Sequence, residues 1–143
     1  MIATALEQLL EEHRAIIARV VALQNALESG SPLPIRQTLD QLCSELLPHL
    51  RTEDEEIYPL LVAHPHTGTG MTARETVTAY SNLATMVRGL DDEWTTARIE
   101  ADLPGFTDAA GAMLNQLTQR VQAENQVLYP MALRMGLIRL RAA

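Results

Sequence analysis

The chain has 143 residues, of which 47% are hydrophobic and 20% charged, with a mean hydropathy near zero. One compact domain spanning 1–143 is therefore expected, and neither a disordered chain nor a membrane span fits. Eighteen acidic residues stand against 11 arginines and no lysine, a net charge of -7, which removes the basic surface that nucleic acid binding requires. The single cysteine, Cys43, has no partner for an internal disulfide, and the N-terminus MIATALEQLLEEHRAI is acidic where a secretion signal is basic, so a cytoplasmic protein is expected. Aromatic residues are scarce at 3%, which leaves a core of Leu, Val, Ile, Ala and Met, a mixture that favours helix over strand.

Breakers at Gly30–Pro34, His64–Gly70 and Asp102–Gly105 divide the chain into four periodic segments. In the first, Leu6, Leu9, Leu10, Ile16, Ile17, Val20, Leu23 and Leu27 recur at steps of three and four and stop at Ser29-Gly30. The second runs from about Ile35 to Val62 on Ile35, Leu39, Leu42 and Leu46. The third, about Thr72 to Ala101, carries Val77, Leu83, Ala84, Val87, Leu90 and Trp94. The fourth opens at Pro104 and continues through Phe106, Ala110, Met113, Leu117, Val127 and Met131 to about Met135. Short connections between long amphipathic helices predict an all-α, up-down-up-down antiparallel four-helix bundle. Pro48, Pro59 and Pro130 fall inside these helices, where each predicts a kink.

Polar residues interrupt every seam. His13 stands between Leu9 or Leu10 and Ile16, and His49 and Glu53 follow Leu46. Tyr80 falls between Val77 and Ala84, and Arg120 and Glu124 lie between Leu117 and Val127. If the apolar faces pack together these groups point inward, where each must be paired, protonated or bound to a cation. His49 and Glu53 share one helix face, as do Arg120 and Glu124. The surroundings repeat as well, since Glu53 is followed by Ile57-Tyr58-Pro59 and Glu124 by Leu128-Tyr129-Pro130. Imidazole and carboxylate four residues apart on facing helices is how bundles build metal sites, with ligand types that suit iron, manganese or zinc.

Through Glu12-His13-Arg14, His49 to Pro59 and Glu124 to Pro130 the chain resembles the hemerythrin-like, HHE cation-binding family, over residues 4 to about 135. That family's pattern is a His on helix one, His-x3-Glu on helix two, a His on helix three and His-x3-Glu on helix four. The resemblance implies a non-haem di-iron ancestry, with His13 and His49 as terminal ligands of one iron and Glu53 and Glu124 as bridging carboxylates. It also implies roles in binding or sensing dioxygen or iron, or in handling peroxide or nitric oxide. The remaining histidine positions depart from the pattern, for Tyr80 stands on helix three and Arg120 on helix four. A guanidinium stays protonated and cannot ligate a metal.

Two readings with interior chemistry stay open at this level, beside a plainer one, a structural or regulatory bundle with no pocket chemistry. In the first, His13, His49, Glu53 and Glu124 hold at most one ion, iron or another divalent metal, with Tyr80 as a candidate fifth ligand and a small molecule such as dioxygen, peroxide or nitric oxide as its partner. In the second, a metal-free pocket uses Arg120 to anchor a small organic anion, with Glu53, Glu124 or His49 as acid or base. Whether either is an enzyme, and which oligomer forms, is left open. Carboxylates paired with Arg120 or a metal are expected to have depressed pKa values. Asp54, Glu55 and Glu56 read as a solvated face from which Glu56 could swing inward, Tyr58 or Tyr129 could reach the pocket, and His64 and His66 read as loop residues.

Overall fold

The computed structural model describes residues 4–63 and 67–141, with the side chains of 67–72 outside that description. His64 and His66 lie outside the described residues. The chain is all-α, and among the described residues the only strand-like pairing is one bridge between Ala5 and Arg139. Its backbone bonds, Leu6 N–H to the Arg139 carbonyl at 2.6 Å and Arg139 N–H to the Thr4 carbonyl at 3.1 Å, tie the end of the chain to its start. No helix among the described residues is long and apolar enough to cross a membrane.

Helix α1 spans Leu6–Ser29 and stops where expected, at Gly30. This glycine adopts a left-handed conformation (φ 70°) and donates its N–H to the carbonyls of Ala26 and Leu27. Helix α2 spans Pro32–Thr52, three residues earlier than the periodicity predicts, because prolines are at home in a first turn whose N–H groups have no partner anyway. It runs on through Pro48.

At the kinks predicted for Pro59 and Pro130 the helices widen into π turns. After α2 the segment Glu53–Ile57 is π-helical and leads into α3 (Tyr58–Val62); Tyr58 N–H reaches back five residues to the Glu53 carbonyl. The fourth segment repeats this, with Glu124–Leu128 π-helical and Tyr129 N–H bonded to the Glu124 carbonyl. A proline cannot donate to the carbonyl four residues back and its ring clashes there, and one extra residue in the preceding turn relieves both defects.

The third predicted helix is three. Helix α4 spans Thr67–Tyr80, α5 Leu83–Glu93 and α6 Thr96–Ala101, with breaks at Ser81-Asn82 and Trp94-Thr95. The second break is made by side-chain capping, since extended Thr95 accepts the Arg98 N–H at 3.2 Å and so starts a new helix. Beside it Trp94 is buried against Phe106. Asp102 then accepts the Gly105 N–H at 3.0 Å and caps α7, Leu103–Ala123, which continues through the second π segment into α8, Tyr129–Arg134.

The apolar interior falls into two clusters. The larger gathers Ile16, Val20, Leu39, Leu46, Phe106, Leu117 and their neighbours from α1, α2, α5, α6 and α7. The smaller gathers Leu9, Ile57, Tyr58, Leu61, Leu128 and Tyr129. The seams pass from one cluster to the other through His13 on α1, His49 and Glu53 on the second segment, and Arg120 and Glu124 on the fourth. These five are the buried polar residues among the described ones.

Candidate metal centre

Four of those five form a ligand cluster. One ligating atom each from His13, His49, Glu53 and Glu124 lies within 4.8 Å of the others, and the four side chains are 0–4% exposed. His13 Nε2 is 2.8 Å from Glu124 Oε1, and His49 Nε2 is 3.1 Å from Glu53 Oε1. The outer ring nitrogens are held as well: His13 Nδ1 donates to Asn125 Oδ1 at 2.9 Å and His49 Nδ1 to Glu12 Oε1 at 2.7 Å. An oxygen partner on Nδ1 aims Nε2 into the cluster, the arrangement that orients histidine for a metal. The donor set thus fits a cation.

Arg120 is the fifth member, 2% exposed, and four of its five N–H donors are engaged. Its Nε donates to Glu124 Oε2 at 3.0 Å. One terminal nitrogen donates to Glu53 Oε1 at 3.2 Å and Asp54 Oδ1 at 2.8 Å, and the other to the Tyr80 backbone carbonyl at 3.2 Å. The Tyr58 ring lies 5.3 Å from the guanidinium carbon. Arg120 therefore bridges both carboxylates of the cluster.

Two phenols enter the same space. Tyr58 Oη donates to Glu124 Oε2 and lies 3.1 Å from Glu53 Oε2. Tyr129 Oη donates to Glu53 Oε2 and lies 2.8 Å from His13 Nε2, 3.4 Å from Glu124 Oε1 and 3.5 Å from His49 Nε2. The π segments explain why each tyrosine meets the glutamate five residues before it. In a regular α-helix, residues five apart are turned well away from each other, and the wider turn brings them back to one face.

Tyr80, expected to turn its phenol inward as a fifth ligand, instead meets the cluster through its backbone carbonyl and is only half-buried. Its place at the end of α4, against the Ser81-Asn82 break, accounts for this, since the last carbonyls of a helix have no partner within it. Glu56 is exposed and stays outside. Sequence reasoning missed Glu12, Asn125 and Asp54. Asp54 read as solvated face but is half-buried on Arg120.

Residues 4–132 match the family model of the hemerythrin HHE cation-binding domain. The chain belongs to that family. No curated protein and no solved structure gives a match. Against the hemerythrin pattern, this chain keeps a His/Glu cluster able to hold a metal ion and places an arginine where the fourth helix's histidine stands in the pattern.

The charges of this hemerythrin domain are unevenly held. Burial works to neutralise Glu124, yet bonds from His13, His49 and Arg120 outweigh it and hold its carboxyl well below the usual range. Glu53 goes the other way, against the expectation that both are depressed. Complete burial and the charge of Glu124 push it up to about 7, despite His49. Burial disfavours charge on His49 too, but Glu124 and Glu53 prevail and raise it to about 11. Burial and the two carboxylates keep the Tyr129 hydroxyl protonated.

A pH dependence follows for the metal-free protein. His49 titrates near 6.5 when unfolded and about 11 when folded, so its stabilisation is complete below 6.5 and is lost as pH rises through 11. With chelator present, the unfolding constant from urea titration is expected to rise by up to about tenfold per pH unit across that window. His49→Gln should flatten the slope, and an unchanged slope in that variant would show that His49 is not its source.

Proposed function

We propose that this hemerythrin-family chain binds one metal ion, iron by the habit of its family, through His13, His49, Glu53 and Glu124, and that its partner is a small molecule such as dioxygen, peroxide or nitric oxide. A cytoplasmic setting and an up-down-up-down arrangement of the long helical segments belong to the same reading. The observation that carries it is Arg120, a permanent cation bonded to both carboxylates at the position four residues before Glu124. Glu53 and Glu124 are in this way shared between one exchangeable cation and one that is part of the chain. When bound, iron supplies a Lewis acid and an exchangeable electron. The chain's own residues do the rest: Asn125 and Glu12 orient the imidazoles, Tyr58 and Arg120 hold the carboxylates, and the apolar clusters on either side limit water.

A groove of about 510 Å³ between the second segment and α4, lined by Asp54, Tyr58, Val62, Arg74 and Val77 among others, leads to Asp54 and Tyr58, both of which touch Arg120. It offers a small molecule a way toward the cluster. The metal-free reading, with Arg120 as anchor for an organic anion, has less support, because both carboxylates, Asp54 and a backbone carbonyl already occupy four of its five N–H donors.

Metal content by plasma mass spectrometry, after anaerobic Fe(II) loading and desalting, is expected to give one ion per chain. A folded chain that retains none overturns the metal reading. Two per chain overturns the limit of one ion.

A further inference from the structure

We propose that Tyr129 is itself a metal ligand, its phenol oxygen completing a two-imidazole, two-carboxylate, one-phenolate sphere when the ion is trivalent. The inference rests on the single-ion reading above and adds a residue to it. Its ground is position. Tyr129 Oη is within 3.5 Å of all four candidate ligands: His13 Nε2 at 2.8 Å, Glu124 Oε1 at 3.4 Å, His49 Nε2 at 3.5 Å, and Glu53 Oε2, to which it donates. Donors at right angles on an ion with bonds of about 2.0–2.2 Å stand about 3 Å apart. The phenol oxygen therefore already keeps the spacing from its neighbours that members of one coordination sphere keep from each other. No other hydroxyl among the described residues does so, for Tyr58 Oη meets only the carboxylates and Tyr80 meets Arg120 through its backbone.

Charge gives the second ground. The two buried carboxylates would bring two negative charges to the ion, while the charge of Arg120 is shared between them and Asp54. Two carboxylates leave a trivalent ion one positive charge in excess, which a phenolate matches. As the metal–oxygen bond forms the O–H bond breaks, and the proton leaves to solvent. No electron moves in that step. In the metal-free chain the same hydroxyl stays a donor to Glu53, so the residue exchanges one cationic partner, a proton, for another.

The test uses the whole chain loaded with Fe(III), read by visible absorption and resonance Raman spectroscopy. A phenolate-to-iron charge-transfer band with tyrosinate ring modes is expected in the wild type, lost in Tyr129→Phe while one iron per chain remains, and kept in Tyr80→Phe. Iron bound without a band, or a band that survives in Tyr129→Phe, overturns the proposal while leaving the single-ion reading intact. No iron bound by the folded wild type removes both. Should Tyr129→Phe fail to fold, Ga(III), a colourless trivalent ion, can be added to the wild type. A near-UV difference spectrum of one ionised tyrosine per ion supports ligation, and its absence overturns it.

Discussion

Replacing Arg120 by Met is expected to lower the unfolding free energy of the metal-free chain by about 3–5 kcal/mol, the usual cost of leaving a buried charge without its partner. The methionine keeps much of the side-chain volume, so little of the loss comes from packing. What remains is Glu124, ionised and 1% exposed, with the histidines and Tyr58 as its polar partners, and Glu53, which has to take up a proton. Urea denaturation with chelator present measures the loss. Adding Glu53→Gln and Glu124→Gln to Arg120→Met should recover a good part of it, because the uncompensated charges go with the carboxylates. A loss below about 1 kcal/mol in the single variant would place the network among those that contribute no net stability.

The second large effect is expected from Arg120→His. An imidazole at position 120 stands four residues before Glu124 as His49 stands before Glu53, and the substitution removes the fixed charge that repels a second cation. Iron content is expected to rise from one ion per chain to two, measured after anaerobic loading and desalting. The variant also separates this protein's two readings, since loss of an anion anchor predicts no gain in metal. A folded variant that still takes one ion would show that an imidazole at position 120 is not by itself enough for the second.

The interior polar layer was legible because burial makes polarity conspicuous. His13, His49, Glu53, Arg120 and Glu124 interrupt apolar series of fixed step, and a residue at such a step has to face inward. Residues adjacent to the series carry no such mark. Glu12, Asp54 and Asn125 sit one place off the seam in each case, where an acid or amide is ordinary surface, and only the neighbouring helix gives them a partner. Tyr80 shows the converse error. Apolar spacing counted along one uninterrupted helix crosses the break at Ser81-Asn82, which has neither proline nor glycine to announce it. The break at Thr95 had a signal, a capping threonine, but cap residues are also common inside helices and periodicity outweighed it. The widened turns do show in the sequence, as the repeat of a glutamate six residues ahead of a proline, which by itself does not specify a π turn.

Arg120 has a further consequence for how the molecule comes into being. Small domains organised wholly by metal are commonly unfolded until the ion arrives, and chelation undoes them. Here part of the positive charge that gathers Glu53, Asp54 and Glu124 is supplied by translation, so it can be neither starved from the cell's metal supply nor extracted by a competing chelator. The helices can therefore close around the centre in advance, and an ion that entered later would meet a finished socket rather than a chain it must first assemble.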